Sequence, residues 1–136
     1  GLSGTSFSAV EYYRAQIKND QFNMRKGQTF WDWGIPTPIS ILETGNATDW
    51  ELPIIATGGI RHGLDIARAV VLGADAGGIA HALLKPATMG KAAVIKELSM
   101  ITNELRTTMF LVGATTVEEM PRVRYEYGPH GPYFNA

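Results

Sequence analysis

Apolar residues recur at a spacing close to 3.6 near the start of the chain, which predicts an amphipathic helix over residues 7–18. Its apolar face consists of Ala9, Val10, Tyr13 and Ile17. Thr5 or Ser6, at the end of a Gly/Ser/Thr segment, is placed to cap this helix. Residues 19–30 are polar and show little periodicity, so we expect a long loop there.

A second helix is predicted over residues 36–44, because proline is well tolerated in the first turn of a helix. We expect Gly45 and Asn46 to end this helix by supplying its C-cap. The apolar residues expected to face inward are Ile35, Ile39 and Leu42.

The middle of the chain alternates between short apolar runs and one periodic segment. Residues 53–57 predict a buried strand, and residues 64–72 predict a helix that Gly73 ends. A second, glycine-rich strand is predicted over residues 75–80, followed by a short turn or helix at residues 81–84. Strands and helices that alternate with short links favour parallel βαβ units.

A long amphipathic helix is predicted over residues 89–107. Its apolar stripe is Val94, Leu98, Ile101 and Leu105. Residues 108–113 fit either a strand or a buried helix, because periodicity cannot separate the two in so short a run. Residues 116–120 predict a small capped helix, and residues 121–136 are expected to form a Tyr-, Gly- and Pro-rich tail, disordered or in contact with a partner.

These elements predict an α/β fold that is incomplete by itself. A sheet of two or three parallel strands leaves open edges and exposed apolar faces, whereas a (β/α)8 barrel takes about 250 residues. The first residues, Gly-Leu-Ser-Gly-Thr, resemble a loop that leaves a strand absent from this chain. We therefore expect residues 1–120 to be the C-terminal part of a TIM (β/α)8 barrel, which would not fold alone.

Composition narrows the function classes. A net charge of −1 gives no electrostatic basis for binding nucleic acid or an anionic membrane surface. No apolar run reaches the roughly 18 residues that span a bilayer. The absence of cysteine excludes disulfides and thiolate metal sites and fits a cytoplasmic location. The three histidines (His62, His81 and His130) are too scattered for a zinc site.

The strongest chemical signal is the end of the first strand. A β-branched run leads into Gly58 and Gly59 and then into Ile60 and Arg61, with a helix directly behind. Glycines allow close approach of the backbone to an anion, and the helix N-terminus offers unpaired N–H groups. The alternative is a tight strand-to-helix turn with Arg61 in a surface ion pair. We expect a phosphate site, since two adjacent glycines exceed what a turn needs.

Ala80 and His81 follow the second strand in the same way. TIM barrels build phosphate sites from the loops after their last two strands and a short extra helix. The amides of these two residues are therefore expected to complete the site, with a solvated loop histidine as the alternative for His81. The neighbouring Asp65 is expected to interact with the helix dipole.

Five segments share their order and spacing with one enzyme family. They are residues 1–7 (GLSGTSF), 32–37 (DWGIPT), 56–61 (ATGGIR), 63–65 (GLD) and 72–75 (LGAD). In these segments the chain resembles the type 2 isopentenyl-diphosphate isomerases, which are FMN-dependent TIM-barrel enzymes of isoprenoid synthesis. The resemblance covers residues 1 to about 120. Ser3 stands where the family has the first glycine of its Gly-Gly-Thr motif.

The five segments differ in how specific they are. The Gly-Gly-Ile-Arg turn followed by Leu-Gly-Ala-Asp is shared by many FMN barrels, such as 2-hydroxy-acid oxidases. Gly-Thr-Ser-Phe together with Trp-Gly-Ile-Pro-Thr separates the isomerases from those relatives.

The resemblance implies an enzyme that interconverts isopentenyl and dimethylallyl diphosphate. It implies FMN held at its phosphate by residues 58–61, Ala80 and His81, with the Thr5 hydroxyl on the flavin. Phe7 would line the hydrocarbon end of the substrate, or belong to the core. NADPH and Mg2+ are implied as further cofactors, and a tetramer or octamer as the assembly. The family's catalytic and Mg2+-binding residues lie in the N-terminal part of the barrel, so no catalytic residue or metal ligand is assigned here.

Two other functions remain open at this point. One is another FMN-dependent TIM-barrel oxidoreductase, for which a histidine base would be expected further upstream. The other is a non-catalytic half-barrel that binds flavin or phosphate without chemistry.

Overall fold

The computed structural model describes residues 6–126. They form six α-helices, two strands and one 3-10 helix. The elements are α1 (Phe7–Ile17), α2 (Gln21–Thr29), α3 (Thr37–Ala47), β1 (Ile55–Thr57), α4 (Gly63–Val71), β2 (Ala76–Gly78), α5 (His81–Met89), α6 (Lys91–Val112) and the 3-10 helix (Val117–Arg122).

The two strands lie parallel and α4 crosses between them, as the alternating pattern predicted. Ile55 pairs with Ala76 and Thr57 with Gly78. Both strands are shorter than predicted. At their start, the Asp75 side chain replaces a backbone hydrogen bond between the strands. Asp75 donates its backbone N–H to the carbonyl of Ile54, and its carboxylate accepts the Ile54 N–H at 2.7 Å. Residues 6–126 therefore contain one parallel βαβ unit with a two-stranded sheet and not a full barrel.

Only one face of the sheet is covered within the described residues. Ala56 is 3% exposed and packs in a core with residues from α3 and α4, whereas its neighbour Ile55 is 67% exposed. The expectation of a fully buried strand is wrong for this reason. Alternate side chains of a strand point to opposite faces of the sheet, and helices lie on one face alone.

Two apolar clusters hold the helices in place. The first fills the space between the sheet, α3 and α4, and consists of Ile41, Ile54, Ala56, Ile60, Ala69 and Ala74. The second joins the other side of α4 to the end of α6 and the 3-10 helix, and consists of Ala67, Val70, Met109, Ala114 and Met120. Because α4 contributes to both clusters, it fixes the sheet relative to α6.

The segment expected to be a loop at residues 19–30 is the helix α2. Asp20 caps it, since its Oδ1 accepts the N–H of Asn23 at 3.1 Å. That hydrogen bond, followed by one from the Asn23 side chain, lowers the pKa of the Asp20 carboxyl. A Cβ on the buried Gly27 would lie 2.8 Å from the Cβ of Tyr12, so α2 packs closely on α1. This packing, and not an apolar stripe, accounts for the helix.

Helix α3 continues beyond its predicted end. Gly45 lies inside the helix and Thr48 is the C-cap, so the prediction of a Gly45-Asn46 cap is wrong. Absence of a side chain at Gly45 and at Gly73 leaves room for the indole ring of Trp50. The buried apolar side chain of α3 is Ile41. Of the residues predicted to face inward, Ile39 and Leu42 are partly buried and Ile35 is 54% exposed.

The C-terminal helices also differ from the sequence expectations. The short turn or helix predicted at residues 81–84 is a helix, α5, and at nine residues it is longer than predicted. Residues 108–113 belong largely to α6, but Phe110 is 82% exposed, which excludes the buried alternative for that side chain. Leu98, assigned to the apolar stripe, is 43% exposed. The 3-10 helix begins without the side-chain cap predicted for it.

The expectation for the tail concerns mostly residues 127–136, which lie outside the described residues. No helix between residues 6 and 126 combines the length and the apolar character that crossing a bilayer requires.

Gly63 is the point of closest approach between α4 and α6. A Cβ there would collide with the backbone of Ile101 and Leu105, and the Gly63 N–H already donates to Glu104 Oε2 at 2.8 Å. We predict that Gly63→Ala lowers the free energy of unfolding by about 1–3 kcal/mol, the usual cost of overpacking. Denaturant titration measures this change.

Ser99→Ala is the control for Gly63→Ala, because Ser99 is exposed on α6 and its hydroxyl bonds only to the carbonyl of Ile95. Surface substitutions of this kind change stability by about 0.5 kcal/mol or less. Equal stability of the two variants would contradict the close approach at Gly63.

Candidate phosphate-binding site

The carboxyl ends of β1 and β2 open into one cleft of about 750 Å3. The parallel register brings the loops after both strands to the same edge of the sheet. The cleft is lined by Phe7, Thr57, Gly58, Gly59, Ile60, Arg61, Gly78, Ile79, Ala80 and His81. The structure thus brings together every site residue predicted from the sequence except Thr5, which lies outside the described residues.

The glycine turn (residues 58–61) has a backbone that other residues rarely adopt. Gly58 has φ +94° and Gly59 has φ +79°, both in the left-handed region. A Cβ at Gly58 would also lie 3.1 Å from Thr37 Oγ1. Glycine is therefore required at Gly58 by conformation and by space.

Two amides of the glycine turn lack an acceptor in the part of the chain that the structure describes. Within residues 6–126 no hydrogen-bond acceptor is recorded for the N–H of Gly59 or of Ile60. The Ile60 residue is only 9% exposed and its side chain belongs to the core. Backbone N–H groups in such a position normally have a partner, so these two donors are suited to an anion.

The sequence predicts that both the backbone amide and the guanidinium of Arg61 bind the phosphate, but the structure leaves only the guanidinium for this role. Its backbone N–H donates to Asp65 Oδ2 at 3.1 Å, so this amide is already occupied. The Arg61 side chain forms no ion pair among the described residues, in contrast to the surface pair considered as its alternative. Its guanidinium is left to face the cleft or the solvent, where it can provide a charge-assisted hydrogen bond to a phosphate.

The N-terminus of α4 is closed by protein groups. Gly63 donates its N–H to Glu104, and Asp65 donates its N–H to His62 Nδ1 at 3.3 Å. The sequence expectation that this helix offers unpaired N–H groups to an anion is wrong at these two positions. The carboxylate of Glu104 arrives there because α6 packs across the start of α4.

The N-terminus of α5 is open instead. Its N-cap Ala80 has no side chain that caps the helix. No acceptor is recorded for the amides of His81 and Ala82 within the described part of the chain. Since Ala80 and His81 line the cleft, the positive end of the α5 dipole lies beside the glycine turn.

The charge of the lining suits an anion. The only formally charged side chain among the cleft-lining residues is Arg61, and none of the lining residues is acidic. Amides of a left-handed turn, a helix N-terminus and an arginine are groups that can bind a phosphate. Among residues 6–126, no group of three His, Cys, Asp or Glu side chains is placed to bind a metal ion.

Phe7 lies at the edge of the cleft. Its side chain is 81% exposed, which excludes the alternative that it belongs to the core of the described residues. The position leaves its ring available to an apolar part of a bound molecule.

Two residues behind the glycine turn were not identified as site residues from the sequence. Thr37 donates its hydroxyl to the Gly58 carbonyl at 2.8 Å, and Asp65 accepts the Arg61 N–H. Asp65 was interpreted through the helix dipole alone, and Thr37 was noted only within a family motif. The four-residue spacing of Asp65 from Arg61 is a local signal that indicates the contact between them. No local pattern indicates the contact between Thr37 and Gly58.

Comparison with known proteins agrees with this geometry. The sequence model of the family described as FMN-dependent dehydrogenase matches residues 33–126. The chain belongs to this family, whose description names FMN as the cofactor.

Several curated relatives of the chain share one name. The chain is 45% identical over 125 residues to an isopentenyl-diphosphate delta-isomerase of Picrophilus torridus, covering 92% of this chain and 35% of that protein. It is 52% identical over 124 residues to the protein of the same name in Thermococcus onnurineus, covering 90% of this chain and 32% of that protein. The chain thus spans about a third of the length of these relatives.

We predict that Gly59→Val prevents FMN binding while most of the fold is kept. The β-branched side chain would occupy the space that a phosphate must enter beside the Gly59 and Ile60 amides. Fluorescence quenching of FMN on titration with protein measures the loss.

Gly113→Val is the matched control, because Gly113 has φ +76°, close to the +79° of Gly59, and lies away from the cleft. Both variants carry the same kind of backbone strain, so only the loss of FMN should distinguish them. Stoichiometric FMN on the Gly59→Val protein would rule out this location for the phosphate.

Proposed function

We propose that this chain is the C-terminal part of a TIM barrel that interconverts isopentenyl diphosphate and dimethylallyl diphosphate with bound FMN. Residues 1–120 would supply the last barrel strands and the FMN-phosphate site. The similarity to isopentenyl-diphosphate delta-isomerases over about nine-tenths of the chain supports the assignment. A second support is the Gly-Thr-Ser-Phe and Trp-Gly-Ile-Pro-Thr pair of segments.

The observation that carries the proposal is the cleft at the ends of two parallel strands, with amides on both sides that have no acceptor among residues 6–126. Gly59 and Ile60 line this cleft from one loop, and Ala80 and His81 at the start of α5 line it from the other. A phosphate in that position would gain hydrogen bonds from both loops and a favourable interaction with the α5 dipole. Arg61 would add the only formal positive charge.

FMN fits the residues that are present. Its dianionic phosphate matches the donor set, and the lining offers no carboxylate that would repel it. In this arrangement Gly58, Gly59, Ile60, Arg61, Ala80 and His81 would hold the phosphate end. Thr5 would contact the ribityl chain or the ring through its hydroxyl.

The reaction is a net 1,3-proton shift, for which reduced FMN supplies acid–base chemistry at the allylic carbons. The residues of this chain would serve binding and orientation, since holding a reacting group in one geometry lowers the barrier. Phe7 would contact the hydrocarbon end of the substrate. NADPH would keep the flavin reduced and Mg2+ would bind the substrate diphosphate, both through residues outside this chain.

The partners follow from the incomplete sheet. The exposed face with Ile55 and Thr57 would be covered by the N-terminal part of the barrel, whether on the same polypeptide or on another. We further propose a cytoplasmic homo-oligomer, a tetramer or an octamer, with no nucleic-acid or membrane partner.

A chimaera tests the proposal most directly. In this chimaera, the present chain replaces the matching third of the Thermococcus kodakarensis isopentenyl-diphosphate delta-isomerase, to which it is 52% identical. The remaining two thirds of that protein would supply the missing part of the barrel. We predict that this chimaera binds FMN and converts isopentenyl diphosphate to dimethylallyl diphosphate with NADPH and Mg2+ present. The unaltered Thermococcus protein is the control for the assay.

Other results of the same experiment favour the alternative functions. A folded chimaera that binds FMN but leaves isopentenyl diphosphate unchanged supports a flavin-binding part without this activity. Oxidation of a 2-hydroxy acid by that chimaera would favour another FMN-dependent oxidoreductase. Absence of FMN from a folded chimaera would contradict the proposed cofactor site itself.

Arg61→Ala in the chimaera should weaken FMN binding by about 1–3 kcal/mol, the range for a hydrogen bond to a charged group. Riboflavin, which lacks the phosphate, should bind unchanged. Arg106→Ala on exposed α6 is the control, because Arg106 does not line the cleft. Equal FMN affinity of the Arg61 and Arg106 variants would remove Arg61 from the phosphate site.

A further inference from the structure

The glycine turn is attached to the rest of the protein at both of its ends by side chains that do not line the cleft. We propose that Thr37 and Asp65 are positioning residues, which hold this turn in its phosphate-binding shape before the phosphate arrives. The inference rests on the proposed FMN site and adds two residues that act through the backbone of that site.

Thr37 holds the first end of the turn. It is the first residue of α3 and is only 8% exposed. Its hydroxyl lies 2.8 Å from the carbonyl oxygen of Gly58 and 3.3 Å from that of Thr57. Because a hydroxyl has one proton to donate, the shorter contact with Gly58 is the principal hydrogen bond.

Thr37 also limits the space beside Gly58. The position of a Cβ on Gly58 lies 3.1 Å from Thr37 Oγ1, so the hydroxyl sits directly against the turn. The left-handed conformation of Gly58 and the hydrogen bond to its carbonyl therefore constrain the same peptide group.

Asp65 holds the second end of the turn. Its Oδ2 accepts the backbone N–H of Arg61 at 3.1 Å, and its side chain is 16% exposed. His62 and Arg68 lie 3.3 and 3.4 Å from the two carboxylate oxygens. The Arg68 guanidinium, which donates to Oδ1, and the position of Asp65 in the first turn of α4 keep the carboxylate directed at the turn.

Between the two attachments lie the amides of Gly59 and Ile60, for which no acceptor is recorded among residues 6–126. Fixing the Gly58 carbonyl and the Arg61 N–H limits rotation of the peptide groups in between. Donors that are already oriented bind an anion without a further cost of ordering. Loss of either attachment should therefore weaken phosphate binding, although neither side chain touches the phosphate.

The test compares FMN with riboflavin, because only FMN has the phosphate. In the chimaera described above, Thr37→Val should weaken FMN binding about tenfold or more, as expected for an unpaired carbonyl and a freed turn. Riboflavin affinity should stay unchanged. Thr37→Ser keeps the hydroxyl and should restore FMN affinity.

Parallel variants separate positioning from general stability. Asp65→Ala should weaken FMN binding as Thr37→Val does. Asp65→Asn, which keeps an acceptor oxygen, should weaken FMN binding less. Thr48→Val is the matched control, since the Thr48 hydroxyl bonds to the Thr44 carbonyl at the far end of α3. It should leave both flavin affinities unchanged.

Hydrogen exchange without flavin provides a readout that does not depend on the cofactor. The amide of Arg61, whose N–H donates to Asp65, should exchange faster in Thr37→Val and Asp65→Ala than in the unmodified chimaera. The β1 amides should keep their protection.

Each outcome decides one of the two proposals. If Thr37→Val and Asp65→Ala keep the preference for FMN over riboflavin, the positioning role is wrong and the phosphate site stands. If they weaken both flavins equally, the two residues are merely structural and the positioning role is also wrong. If the unmodified chimaera binds FMN no better than riboflavin, the phosphate site itself is wrong, and hydrogen exchange still decides whether the two residues hold the turn.

Discussion

The parallel pairing of β1 with β2 is the constraint on which the candidate site depends. Because Thr57 lies opposite Gly78, the chain leaves both strands at the same edge of the sheet. The loops that follow then face one another across a single cleft. Helix α4 makes this possible, since a connection between parallel strands has to return along the length of the sheet. An antiparallel pair would send the glycine turn and the start of α5 to opposite ends.

Two helices begin near this edge, and tertiary contacts give them different roles. The first amides of α4 are used by Glu104 and His62, so this helix end is neutralised within the protein. The first amides of α5 have no such partner among the described residues. A phosphate in the cleft would therefore interact with the α5 dipole, while α4 serves as a support that holds the glycine turn through Asp65.

Elements with a strong local signal were predictable, and elements that depend on neighbours were not. The existence of α1 and the βαβ order of β1, α4 and β2 follow from periodicity and turn residues. The predicted apolar face of α1 is wrong in part, because Tyr13 is 55% and Ile17 84% exposed and the buried residue is Ala15. Helix α2 has no apolar stripe and exists because Asp20 caps it and Gly27 allows it to pack on α1. The length of α3 depends in the same way on Trp50, whose ring covers Gly45 from outside the helix.

The sequence by itself determined the glycine turn, the order of the strands and the set of residues that line the cleft. These features are local, because adjacent glycines after a β-branched run permit the left-handed backbone that this turn adopts. Only the tertiary structure decided which amides remain available and what holds them. Thr37 reaches Gly58 across 21 positions of the chain and Glu104 reaches Gly63 across 41. A hydrogen bond over such a separation is set by how helices pack, and no local pattern encodes it.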